Sequence, residues 1–265
     1  MPRRAISLAA GVLPEASPAE LIDCAAAAGF DYGGMWAAPE SWTSATTRAV
    51  RRQAREAGVR LLDLEVAWIM PGPPDPWLAE LVHIAAEIGA ANLLVVSSDP
   101  DMAATAAKFQ ALIDAARGTK VRVNLEFGLF TAVKTIHMAR AVLDAVEGEA
   151  KALLVDTLHW ARSGGTPADL AAIPRDWLSY CQPCDAPAEG PAADDLDAII
   201  DDAINRRMPL GQGGLPLGAM LDALPESLPL AVEERSAALR AAYPDLAERA
   251  RAVARTSRAW LAARG

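Results

Sequence analysis

Histidine, cysteine and aromatic side chains are all scarce in this chain. Three histidines and three cysteines stand among 265 residues, and Phe, Trp and Tyr together make up 5%. Basic charge is short as well, since 25 Lys and Arg against 34 Asp and Glu leave a formal net charge of −9. A chain with that balance repels a phosphate backbone and lacks the basic stripe that nucleic-acid binding requires. No apolar run is long enough to span a bilayer. The stretch 5–13 falls short both of a membrane span and of a signal peptide with its small-residue cleavage site. These absences point to a soluble cytoplasmic protein. No Gly-x-Gly-x-x-Gly follows an early strand, which removes the main support for a dinucleotide-binding sheet.

The three cysteines are Cys24, Cys181 and Cys184. Cys181-Gln-Pro-Cys184 spells a redox or half-zinc motif, but strand positions three apart point to opposite faces, so the two sulfurs would not converge.

Ala, Leu and Val supply most of the 52% hydrophobic content, as expected for helices packed round parallel strands. Eight β-like runs cover 6–10, 32–35, 60–66, 92–96, 121–127, 152–156, 178–184 and 228–233. Helical patterns lie between them at 18–28, 44–57, 77–88, 102–116 and 132–146. The first has Ser17 placed as an N-cap and Gly29 as a C-terminal stop. Eight βα units in one chain, at a length near the roughly 250 residues typical of such folds, predict an α/β architecture closed as a single (β/α)8 barrel over residues 1–265. A Pro- and Asp-rich stretch at about 186–207 breaks the rhythm and reads as an elaborated loop over the barrel mouth. The last helix, 244–263, closes the barrel and offers a surface for a homo-oligomer.

Catalytic groups in such barrels sit at the carboxyl ends of strands. That rule selects Glu126, Asp156 with His159, and Glu233 on strands five, six and eight, and Gln182 or Tyr180 on strand seven. A buried carboxylate needs a partner, either a nearby arginine or a divalent cation shared by several acids. Glu65 ends strand three, with a proton-carrying or substrate-binding role or a buried ion pair as the two readings. Arg162 and Lys134 are candidates to neutralise an anionic substrate or intermediate. Trp36, Trp68 and Trp160 directly follow predicted strands, and with Phe127 and Phe130 they suggest an aromatic rim for a ring-shaped or carbohydrate substrate. His83 and His137 fall within helical patterns and read as surface or packing residues.

The runs Leu154-Val-Asp156-Thr-Leu-His159-Trp-Ala-Arg162-Ser-Gly-Gly165 and Tyr180-Cys-Gln182-Pro-Cys-Asp185-Ala-Pro187 resemble the sugar phosphate isomerase/epimerase group of the xylose isomerase-like TIM barrel superfamily. The resemblance covers nearly the whole chain. It implies a divalent metal, often manganese, held by a Glu, an Asp, a His and a Glu from strands five to eight. Carried over, these are Glu126, Asp156 and Glu233, with Gln182 where the family has histidine; Tyr180 is the alternative alignment. An all-oxygen set suits manganese or magnesium, cobalt also fits, and zinc is less suited. A second departure is Gln212, where many relatives carry an acid between glycines. His159 is implied to contact substrate oxygens. The superfamily also holds endonucleases for abasic DNA, but their three-zinc sites need many histidines, which this chain lacks.

The expected function is a metal-dependent isomerase or epimerase acting on a sugar, keto-sugar or related polyol through an enediolate, with Glu126 and Glu233 moving the proton. A lyase or dehydratase, or a non-catalytic binding barrel, are the alternatives.

Overall fold

The computed structural model describes residues 4–264. Eight parallel strands close into a barrel in sequence order. The first half alternates strictly: β1 (Ile6–Leu8), α1 (Pro18–Ala28), β2 (Tyr32–Trp36), α2 (Ser44–Ala57), β3 (Arg60–Ile69), α3 (Pro76–Ile88), β4 (Asn92–Ser97) and α4 (Met102–Ala115). The second half begins the same way, with β5 (Arg122–Glu126), α5 (Ile136–Asp144) and β6 (Lys151–Asp156). Two short helices, α6 (Thr157–Arg162) and α7 (Pro167–Ala171), precede β7 (Leu178–Gln182). Helices α8 (Leu196–Asn205) and α9 (Leu217–Ala223) lie before β8 (Leu230–Val232), and α10 (Ala237–Ala242) and α11 (Leu246–Ala263) follow it. Among the described residues no helix is long and apolar enough to cross a membrane.

Local chemistry sets these boundaries. Ser17 and Glu20 form a reciprocal capping box in front of α1, and Gly29 ends it in the left-handed region at φ 73°. Prolines account for two strands being shorter than expected. Pro183 stops β7 after Gln182, and Pro229, which has no N–H to donate, delays β8 until Leu230. Helix α5 starts four residues later than its apolar pattern suggests because Thr135 caps it, while Thr131 binds the Gly128 and Val133 carbonyls in the preceding turn.

Two apolar layers hold the barrel. The larger lies between strands and helices. The smaller fills the barrel interior with Leu62, Leu94, Leu154, Tyr180 and Ala231 from five strands, as the inward positions of a small barrel must. Strand periodicity then fixes what comes next. Residues two positions beyond Leu154, Tyr180 and Ala231 point the same way, one layer higher, and these are Asp156, Gln182 and Glu233.

Candidate active site

A cavity of about 390 Å³ opens at the carboxyl ends of the strands. Its polar wall holds Glu65, Glu126, His159, Gln182, Arg207, Glu233 and Arg235; Trp36, Trp68, Phe130, Val66, Leu94, Val96 and residues of α8 form the apolar wall. A larger hollow of about 500 Å³ before β5 is walled by residues 116–122 and contains neither a histidine nor a buried carboxyl group.

The Asp-x-x-His spacing has a local explanation. Asp156 caps α6, accepting the His159 backbone N–H on Oδ1 at 3.1 Å, and this sets the imidazole one helical turn from the carboxylate. Donor atoms of Glu126, Asp156 and His159 all lie within 4.8 Å of one another. Glu126, on β5, is buried, and no hydrogen bond or ion pair satisfies its carboxylate among the described residues. Burial, and then repulsion from Asp156 and Glu233, push its pKa well above the usual carboxylate value. Glu233 is pushed up to about 8, by burial first, against the pull of Arg207. Glu65 is also raised well above its ordinary value by burial and by Asp63 beneath it. Its two oxygens accept from Trp36 Nε1 at 2.8 Å and Gln182 Nε2 at 2.9 Å.

The structure places Arg207 at the centre of these acids, a residue that strand-end reasoning does not select. Nη1 lies 2.5 Å from Asp156 Oδ2, 3.2 Å from Glu233 Oε2 and 3.2 Å from Cys184 Sγ. Nε donates to the Ala203 carbonyl at 2.7 Å, and Nη2 faces His159 Nε2 at 3.4 Å. That last contact turns the lone pair of Nε2 toward the guanidinium, so the ring is neutral; burial depresses its pKa to about 4. Backbone pairing fixes the arginine. Met208 exchanges hydrogen bonds with Asp185, and the Arg207 N–H donates to the Arg235 carbonyl at 3.2 Å. Asp185 ties the same loop down by accepting the N–H groups of Ala186, Gly211 and Leu215.

Of the residues selected from sequence, Trp36, Glu65, Trp68, Glu126, His159, Gln182 and Glu233 line the cavity, and Asp156 adjoins them through Arg207. Two do not. Trp160 turns into the core beneath α6 and is 1% exposed, because a helix begins at residue 157 and rotates it away from the mouth. Arg162 is held by Asp202 at 2.8 Å and by the Pro187 and Ala188 carbonyls, outside the cavity wall. Phe127 is core, and Lys134, His83, His137 and Gln212 are exposed. Tyr180 lies in the interior layer below Gln182. Cys181 and Cys184 are buried free thiols.

The donor set fits a divalent cation. Gln182 Oε1 is buried without a hydrogen-bond partner while its Nε2 is engaged, so the oxygen is the free end. Glu65, Glu126, Asp156 and Glu233 oppose only the guanidinium groups of Arg207 and Arg235, because His159 is neutral. Two negative charges stay unmatched when all four acids are ionised, and a divalent cation carries that charge.

This charge imbalance predicts the pH dependence of stability without a cation. Glu233 and Glu234 titrate near 8 in the folded chain against an ordinary value of 4.5. The folded state therefore keeps protons that the unfolded chain has released. That stabilisation is complete below about pH 4.5 and is lost as pH rises through 8. His159 acts in the opposite direction, adding stability as pH rises from about 4 to 6.5. Above pH 6.5 only the carboxyls act, so chelator-treated protein should melt at progressively lower temperature from there upward, and manganese should flatten the decline. A melting temperature that rises across this window contradicts the assignment.

The sequence model of the xylose isomerase-like TIM barrel family matches residues 22–263. No curated protein matches the chain. The IOLI protein with a binding zinc atom superposes with a TM-score of 0.79 at 17% identity, over 98% of both chains. D-allulose 3-epimerase from Methylomonas sp. in complex with D-allulose gives 0.68 at 18% identity, over 100% of this chain and 98% of that one. The probable 3-DHS dehydratase AsbF from Bacillus anthracis gives 0.71 at 13% identity, over 95% and 97%. The chain spans 42% of the length of a xylose isomerase-like TIM barrel/4-hydroxyphenylpyruvate dioxygenase fusion protein, matched at a TM-score of 0.78 and 20% identity. At these identities the likenesses are likenesses of fold.

Proposed function

The chain belongs to the xylose isomerase-like TIM barrel family, and on that premise we propose that it is a divalent-metal-dependent isomerase or epimerase of a small sugar, keto-sugar or related polyol, acting through an enediolate. One observation carries this reading. Glu126 and Glu233 are buried, mutually repelling carboxyls in a cavity of substrate size, Glu126 held well above its ordinary pKa by burial and Glu233 pushed up to about 8. Groups tuned in that way exchange protons with weakly acidic carbon at neutral pH. One of the pair, as carboxylate, takes the proton next to the substrate carbonyl. The other returns a proton to the opposite face for epimerisation, or to the neighbouring carbon for isomerisation. Neutral His159 orients a substrate oxygen, and Trp68 and Phe130, edge to face at 6.1 Å, wall off water on its side.

Glu126, Asp156, Gln182 and Glu233 would hold the cation, with His159 within reach. Arg207 already holds Oδ2 of Asp156 and Oε2 of Glu233, and Asp156 Oδ1 caps α6, so these two carboxylates would be shared between the cation and the protein. When bound, the cation supplies Lewis acidity toward adjacent hydroxyl and carbonyl oxygens, and a mainly oxygen donor set suits manganese, or magnesium or cobalt.

The apolar wall of Val66, Leu94, Val96, Leu196 and Ile200 favours a second reading, a dehydratase acting on a substrate with one poorly hydroxylated face. It shares the first proton abstraction, followed by loss of a β-hydroxyl as water. Incubation of ketoses in deuterated water with manganese tests both. Recovered substrate or its epimer carrying carbon-bound deuterium supports isomerisation, and a product lighter by one water supports dehydration. If neither forms with any ketose or keto acid tried, the proton-transfer reading fails.

A further inference from the structure

One cation in the cavity wall makes no direct side-chain hydrogen bond or ion pair among the described residues. Arg207 has every nitrogen engaged, but Arg235, two residues beyond Glu233, has none of its side-chain nitrogens in a hydrogen bond or ion pair among the described residues. Its Nε is buried and unsatisfied, and the residue is half-buried in the cavity wall. Its placement is built. The guanidinium lies over the Trp36 ring at 5.4 Å, and Trp36 is itself fixed by its bond to Glu65. The stem runs against Gly11, where a Cβ would come within 2.4 Å of Arg235 Cδ, so only glycine leaves it this path. Partly burying a guanidinium is costly, and Glu233 and Glu65 in the same wall offset that cost only through space, without a hydrogen bond or ion pair to it among the described residues. The structure keeps its forked donors free and turned to the cavity.

We infer that Arg235, backed by Trp36 and Gly11, is a carboxylate-binding subsite, and that the substrate is therefore a hydroxylated keto acid, not a neutral sugar. This deepens the proton-transfer reading and rests on it for the substrate's reactive end. The planar fork of a guanidinium matches a carboxylate bidentately. A phosphate dianion is disfavoured, because the carboxyl groups of the same cavity repel its second negative charge more strongly than the single charge of a carboxylate. The substrate would lie with its carboxylate against the cavity side of Arg235, the side away from Trp36, and its carbonyl toward Glu126 and His159.

The test compares matched probes by calorimetry on purified protein in manganese buffer: 2-keto-D-gluconate against D-fructose, 2-keto-L-gulonate against L-sorbose, and D-fructose 1-phosphate as the phosphate arm. At least one keto acid should bind roughly 10- to 100-fold more tightly than its ketose, the range expected for a charge-assisted bidentate contact. In Arg235→Gln that ratio should fall to near one, and Arg235→Lys should keep part of it, with circular dichroism showing both variants folded. The inference is overturned by equal binding within both wild-type pairs, by a preference that survives in Arg235→Gln, by tighter binding of the phosphate, or by no keto-acid binding at millimolar concentration. Deuterium uptake scored in parallel separates the two readings. A carboxylate preference without uptake defeats the proton-transfer reading alone, and uptake without the preference defeats this subsite alone.

Discussion

Replacing Arg207 by Met should destabilise the chelator-treated protein by about 3–5 kcal/mol, the cost of removing one member of a buried ion pair. The cost arises on the acids left behind. Asp156 is 1% exposed, Arg207 is 3% exposed, and the guanidinium bridges Asp156 and Glu233 at 2.5 and 3.2 Å. Without it, two buried carboxyls stand beside each other and Glu126 with no cation between them. The sign with pH follows from Asp156, whose pKa is lowered by Arg207 despite its burial. A carboxyl depressed in this way contributes stability above its unfolded value of 3.8 and loses it as pH falls. The penalty of Arg207→Met should therefore be largest near neutrality and shrink toward pH 4, where the orphaned acids take protons instead. Manganese should recover much of the loss at neutral pH, because a cation held by the same acids replaces the missing charge. Adding Asp156→Asn to Arg207→Met should also recover part of it, since asparagine can still cap α6. Urea denaturation with and without chelator reads all three results. An Arg207→Met protein as stable as wild type in chelator would show that the ion pair does not neutralise these acids.

That arginine also marks where reading the sequence stopped. The barrel was legible because its signals are periodic and local. Capping at Ser17 and Gly29, aliphatic strands and eight repeats of one unit all point to the same closed fold. The strand-end rule then selected Glu126, Asp156 and Glu233 and left strand seven open between Gln182 and Tyr180, which share one strand face; the structure puts Tyr180 in the interior layer and Gln182 in the cavity wall above it. Arg207 obeys no such rule. It reaches the site from a segment between α8 and α9, positioned by backbone pairing with Asp185 and Ser236 neighbourhoods that no spacing encodes. The stretch 186–207 was recognisable as an insertion over the mouth, yet nothing in it distinguishes Arg207 from Arg206. Arg235 was within reach, since it directly follows Glu233-Glu234 at the exit of β8. Trp160 and Arg162 show the converse failure. A helix starting at residue 157 advances about 100° per residue, so residues next to a catalytic strand end need not face its cavity.

The sharpest separation of function from stability is expected at Glu126. Converting it to Gln preserves shape and removes only charge and the capacity to carry a proton. Deuterium exchange into substrate should fall roughly 10²- to 10⁴-fold, the usual contribution of a positioned acid or base. The same change should make the chelator-treated protein more stable at pH 8. Glu126 accepts no hydrogen bond that glutamine would lose, and its raised pKa comes from burial and from repulsion by Asp156 and Glu233. Such a group makes folding weaker as pH rises above its unfolded value, so deleting it removes that penalty. Near pH 4.5 the variant and wild type should converge, because folded Glu126 is protonated there and its neutral form resembles glutamine. Stabilisation by manganese should shrink as well, since an anionic donor has become neutral. Melting curves at pH 4.5 and 8, with and without manganese, measure these effects beside the exchange rate. A variant that is less stable at pH 8 would mean Glu126 holds the barrel together, and one that still exchanges deuterium at the wild-type rate would remove it from the chemistry. Gain of stability with loss of exchange is the result expected of a charge kept in place for catalysis.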